Sequence, residues 1–124
     1  MPDKVVDASV VVALAFGEPL ALTARDLLEG ATLYAPDLLP YEICSAALAK
    51  SRRYPGQFAA IAAGMSLALT LDVNLRSVPA AEILELAIQS GLTAYDAAYL
   101  WLARRLQCQL LTFDQRLARA ANTT

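Results

Sequence analysis

Not one of the 124 residues is a histidine. That absence removes the imidazole general base, the Ser-His-Asp and Cys-His arrangements, and every His-ligated metal site. Cysteine is scarce, and Cys44 and Cys108 match no CxxC pattern. Both read as small core residues, in keeping with a reducing cytoplasm. Lysine occurs only as Lys4 and Lys50. No long apolar run is present either. The longest uncharged stretch, residues 54–71, is broken at its start by Pro55, Gly56 and Gln57. The apolar remainder, roughly 14 residues, has the length of a buried helix rather than a spanning one. No export segment follows the N-terminus, so a cytoplasmic protein without a membrane span is expected. Excess positive charge is also missing: the net charge is −2, which does not by itself mark a nucleic-acid binder. Hydrolytic chemistry here must run on carboxylates, hydroxyls, Lys or Arg. Carboxylates alone suit hard cations such as Mg²⁺ and Mn²⁺.

What is present is apolar. Hydrophobic residues make up 57% of a chain long enough for one domain with one core. Such a surplus predicts apolar surface left over for a partner, and residues 10–28 read as the docking surface for it.

Short strands alternate with helical periodicity. Residues 4–7, 32–35, 72–78 and 109–112 read as strands. Residues 8–16, 20–29, 41–53, 58–69, 80–89, 93–106 and 114–121 read as helices, with Ser9 placed to cap the first. The alternation argues an α/β fold, a parallel sheet covered by helices on both faces.

Four acids stand at helix starts. Asp7 follows the first strand and Asp114 the fourth. Glu42 lies two residues after Pro40, and Asp96 three after Thr93. Each alone reads equally well as capping or dipole chemistry; Thr93 and Asp96 have capping-box spacing. Together they read differently. Strand-to-helix turns of a parallel sheet share one edge, where ligand sites form. Four like charges gathered there repel unless a divalent cation joins them. Two such ions about 3.5–4 Å apart would activate a water and stabilise the leaving oxygen of a phosphodiester. Setting these four aside, the rest of the chain holds ten basic against eight acidic residues, near balance.

The segments Val5-Val6-Asp7-Ala8-Ser9, Leu39-Pro40-Tyr41-Glu42, Leu92-Thr93-Ala94-Tyr95-Asp96-Ala97-Ala98-Tyr99 and Leu111-Thr112-Phe113-Asp114-Gln115-Arg116-Leu117 occur in this order. They resemble the four signature segments of PIN domains, most closely those of VapC-like toxins of toxin–antitoxin pairs, over nearly the whole chain. The resemblance implies a three-layer α/β/α PIN-like fold with a short parallel sheet of four or five strands, as a single domain over residues 1–124. It implies a Mg²⁺- or Mn²⁺-dependent endoribonuclease, a homodimer, and a VapB-like antitoxin as partner. Asp7, Glu42 and Asp96 carry over as the core metal ligands and catalytic acids, and Asp114 as the more variable fourth. Ser9 and Thr112 match supporting hydroxyl positions, which also read as a helix cap and a strand-end hydrogen bond. One departure stands out: PIN domains usually run on into a fifth strand, whereas Asn122-Thr123-Thr124 is followed by none. That leaves a sheet edge in need of cover.

Among the basic residues, Arg116 is two positions past Asp114 and is the candidate phosphate contact. Lys50, Arg52 and Arg53, like Arg104 and Arg105, close helices, where their charge suits the dipole. Tyr95 and Tyr99, one turn apart, read as core rather than as stacking platforms. Trp101 reads as core or subunit interface. Two other classes compete. A phospho-receiver-like domain needs a lysine at the end of a late strand, which neither Lys4 nor Lys50 supplies. A degenerate, non-catalytic PIN domain would serve only as an RNA- or protein-binding module.

Overall fold

A computed structural model describes residues 1–123. Four strands, β1 (Asp3–Val6), β2 (Thr32–Pro36), β3 (Val73–Arg76) and β4 (Gln109–Leu111), form one sheet in the order β3-β2-β1-β4. Every pairing is parallel, with Val5 opposite Tyr34 on one side and Leu110 on the other. Seven α-helices accompany the sheet: α1 (Ala8–Ala15), α2 (Ala21–Leu28), α3 (Leu39–Arg53), α4 (Phe58–Thr70), α5 (Ala80–Ser90), α6 (Ala94–Leu106) and α7 (Gln115–Asn122). α1 packs on α2, α3 and α4, whereas α6 packs on α5, α7, β1 and β2. The result is a three-layer α/β/α fold.

Central strands of a parallel sheet are covered on both faces, so they must be apolar throughout. β1 obeys over its second half: after an exposed Asp3 and a half-buried Lys4, Val5 and Val6 are fully buried. Against them lie Val10 and Val11 of α1 and a buried run in α6 that includes Ala97, Ala98, Tyr99 and Leu100. Small residues on α6 let its backbone approach the sheet closely. Gly91, with φ +71°, ends α5 in the left-handed region that favours glycine, and the chain reverses there into α6.

Several expectations need correcting. Residues 10–28 are not a free docking surface. Val10, Val11, Ala13 and Ala24 belong to the core, because α1 packs against α2, α3 and α4, while Leu20 and Leu22 stay exposed. Cys44 is exposed, since it lies on the side of α3 away from the buried Ile43 and Ala47. β3 is shorter than the alternation suggests and lies at the sheet edge with Leu75 exposed. α3 begins two residues early, taking Pro40 into its first turn, where a missing N–H costs nothing. Among the described residues there are four strands, so β4 forms the other sheet edge; Thr124, part of the C-terminal departure, lies outside the described residues. No helix among them is long and apolar enough to cross a membrane.

Candidate metal centre

The pairing of β1 with β4 sets Asp7 and Asp114 at neighbouring strand ends. The Asp7 amide donates to the Leu111 carbonyl at 2.9 Å, extending the ladder one residue past β1. Asp7 then takes the extended backbone of an N-cap residue, yet its side chain caps nothing. Instead its Oδ2 accepts from the Ser9 hydroxyl at 2.7 Å and the Thr112 hydroxyl at 2.8 Å. Asp7 is also 6% exposed, the one buried charged residue of those described. Among the described residues none donates to Oδ1, and no buried side-chain oxygen is left without a partner. Oδ1 is therefore accessible to solvent.

The two hydroxyls are themselves fixed. Ser9 Oγ accepts from the Phe113 amide at 3.0 Å, and Thr112 Oγ1 from the Asp114 amide at 3.0 Å. Each donates its single proton to Asp7 and takes a backbone proton in return. This stitches the β1–α1 turn to the β4–α7 turn. Ser9 sits inside α1 rather than at its cap position, which Asp7 occupies, so the capping expected of Ser9 is replaced by this bridge.

Glu42 lies in the first turn of α3 and Asp96 in the first turn of α6. The Asp96 amide donates to Thr93 Oγ1 at 3.1 Å, so the cap there is Thr93. Glu42 Oε1 accepts from the Tyr99 hydroxyl at 2.6 Å. Tyr99 is fully buried, as expected of a core residue, yet its hydroxyl serves the site. The available signal was its spacing: three residues after Asp96, it shares that acid's helix face. Tyr95, one turn before, is instead 65% exposed at the open edge, against the expectation that it packs in the core. Asp114 does cap a helix, its Oδ1 accepting from the Leu117 amide at 3.0 Å.

The electrostatics bind these residues into one site. Burial raises the pKa of Glu42; the Tyr99 hydrogen bond pulls it back, and the charges of Asp7 and Asp96 push it up again. Asp96 is raised mainly by burial, then by Asp7 and Asp114, against lowering from its Thr93 contact and from Arg116. Burial, then the bond to Glu42 and its charge, drive the Tyr99 phenol far up, so it stays a donor. Carboxyls close enough to feel one another's charge, with so little compensating positive charge, are costly. The donor set is all oxygen, the chemistry that holds hard divalent cations. Among the described residues no three acids already stand within one coordination sphere.

Arg116 reaches the site rim. Its Nη2 donates to the Gly91 carbonyl at 2.6 Å, and its charge is felt at Asp96. Lys50 is committed elsewhere, paired with Glu18 at 2.5 Å and set over the Phe16 ring.

The PIN domain family profile matches residues 4–122. Ribonuclease VapC3 of Pyrobaculum aerophilum is 34% identical over 92% of this chain and 91% of its own length. A crystal structure of a P. aerophilum protein superposes with a TM-score of 0.75 at 28% identity, covering 96% of this chain and 86% of that one. Mycobacterium tuberculosis VapC20, described as a sarcin–ricin loop cleaving toxin, shares the fold at a TM-score of 0.67 and 19% identity, covering 94% of both chains. With its parallel sheet, its acidic edge and these relatives, the chain belongs to the PIN-domain family and is similar to that family's VapC members.

Proposed function

We propose that the chain is a divalent-metal-dependent endoribonuclease and the toxin of a VapBC-type toxin–antitoxin module. One observation carries the reading: Asp7, a buried acid, is held by two hydroxyls on one oxygen and keeps the other free of protein donors, with its charge felt at Glu42 and Asp96. A buried charge of that kind is costly without a cation to meet it. The name of the P. aerophilum relative supports ribonuclease chemistry.

Asp7, Glu42 and Asp96 are the residues to hold Mg²⁺ or Mn²⁺, with Asp114 as the fourth. Such an ion, when bound, polarises a phosphodiester oxygen and lowers the pKa of water at neutral pH. The chain's own groups do the rest. Ser9 and Thr112 fix Asp7, and Tyr99 fixes Glu42. Asp114 keeps one oxygen on Leu117 and has the other to offer. Arg116, exposed at the rim, contacts a substrate phosphate. RNA is the substrate, a VapB-like antitoxin the partner, and the protein is a cytoplasmic homodimer. Exposed Phe58, Leu67, Leu69, Leu84 and Ile88 supply apolar surface for such contacts.

The test is cleavage of a mixed RNA pool in Mn²⁺, in EDTA, and by Asp7→Asn and Asp96→Asn proteins. Cleavage should require Mn²⁺ and disappear in both variants. Undiminished cleavage in EDTA or in both variants refutes the metal mechanism. No cleavage at all, with RNA still bound, favours the non-catalytic binding module. A short adjacent reading frame encoding a small DNA-binding protein would support the antitoxin, and light scattering reads the dimer.

A further inference from the structure

Two tyrosines beside the acids are left out in solvent. Tyr41 is 77% exposed and Tyr95 65% exposed, whereas Tyr99 on the same helix as Tyr95 is wholly buried. Each exposed ring directly precedes a site acid, Tyr41 before Glu42 and Tyr95 before Asp96. Although they come from α3 and α6, both line one groove of about 350 Å³, together with Leu38, Glu42 and Ser45.

We propose that this groove is a subsite for one unstacked base of a single-stranded RNA, next to the phosphate that reacts at the acids. The inference rests on the nuclease reading and names the form of its substrate. Size favours a single base, because the volume lies at the lower end of ligand pockets, roughly 300–1,000 Å³. Charge favours a neutral ligand: Glu42 belongs to both groove and metal centre, so a phosphate is repelled from the groove unless an ion intervenes. A neutral base carries no such penalty, and its phosphate is left at the acids. The lining supplies what a base needs, namely phenol π-faces for stacking and the Ser45 and tyrosine hydroxyls for its edge. A duplex keeps its bases stacked and offers none to the groove.

The experiment measures anisotropy of a labelled single-stranded hexaribonucleotide in EDTA, with Asp7→Asn protein to prevent cleavage. Tyr95→Ala is then added to that background and should weaken binding about 5- to 150-fold, the range of one lost base stack. Tyr95→Phe keeps the ring and should stay within about twofold of the parent. A hexamer carrying an abasic site should bind the parent as weakly, and Tyr95→Ala should then cost nothing further. Tyr95 is exposed, so the variants should keep the fold, which a thermal melt verifies. Unchanged affinity for Tyr95→Ala, or equal loss on the intact and abasic strands, overturns the subsite. So does a Tyr95→Ala protein that keeps RNA affinity but loses a protein partner. Cleavage by the unmodified protein in Mn²⁺ is scored separately. Cleavage without a Tyr95 effect refutes only the subsite, whereas a stacking loss without cleavage refutes the nuclease and keeps the subsite.

Discussion

Replacing Tyr99 by Phe removes one oxygen from the core and leaves the ring in place. Because Tyr99 is fully buried and its hydroxyl sits 2.6 Å from Glu42 Oε1, no cavity of consequence forms and the loss is one hydrogen bond to a carboxylate. Such bonds contribute about 1.5–3 kcal/mol, more than neutral ones, because the acceptor carries charge. With about 2.1 cal/mol/K of unfolding entropy per residue, a chain of 124 residues loses ~4 °C of Tm per kcal/mol, so Tyr99→Phe should melt about 6–12 °C lower at pH 7. A double-mutant cycle isolates the contact. With Glu42→Ala as the second change, the coupling at pH 7 should exceed about 1 kcal/mol, since contacting residues in one network do not add. Urea melts of the four proteins in EDTA supply the numbers. Additivity within about 0.5 kcal/mol would show that the phenol does not hold Glu42 and would refute the reasoning.

Three further outcomes follow from the same structure. Asp96→Asn should raise the Tm of the metal-free protein at pH 7. Its carboxyl is raised in the fold by burial and by Asp7 and Asp114, so the folded state holds the proton more tightly than the unfolded chain. Stability therefore falls as pH rises from the ordinary value of 3.8 through the raised one, and the gain in the variant should vanish below that window. A Tm difference that grows on acidification contradicts this sign. Gly64→Ala should destabilise by about 1–3 kcal/mol, the usual cost of overpacking, because the added methyl would lie 2.6 Å from the Phe16 ring; an unchanged urea midpoint contradicts it. Arg116→Ala should weaken RNA binding across sequences and lower the slope of log K against log salt by about one, and an unaltered slope would remove Arg116 from the phosphate contacts.

Much of this architecture is legible in the sequence because its signals are local. Val5-Val6 preceding an acid, the Thr93 cap, and Gly91 before a new helix each fix a boundary without help from distant residues. Parallel strands then force the turns onto one edge, which is why Asp7 and Asp114 are foreseeable as neighbours. Other features depend on contacts far apart in the chain. The spacing of Tyr99 from Asp96 puts it on that acid's helix face, but it does not announce that the hydroxyl meets Glu42, which is 57 positions away. The bridge from Ser9 to Phe113 spans 104 positions, and a hydroxyl at the very start of a helix reads first as a cap. Periodicity placed Tyr95 and Tyr99 on one face but not at one depth, because Tyr95 stands in the first turn at the open edge. The apolar run of α1 reads as spare surface for a like reason: whether it meets neighbouring helices or a partner is decided by packing, not by composition.

The central claim is that four acids form one cation site, and calorimetric titration of Mn²⁺ into the purified protein tests it most directly. The unmodified chain should bind, and at a hundredfold excess over Kd the ion should add about 2.7 kcal/mol of stability. Asp7→Asn, Glu42→Gln and Asp96→Asn should each weaken binding by about tenfold or more, with Asp114→Asn affected less, because one Asp114 oxygen is held by Leu117. Binding by all three core variants as tight as that of the unmodified chain would contradict the account.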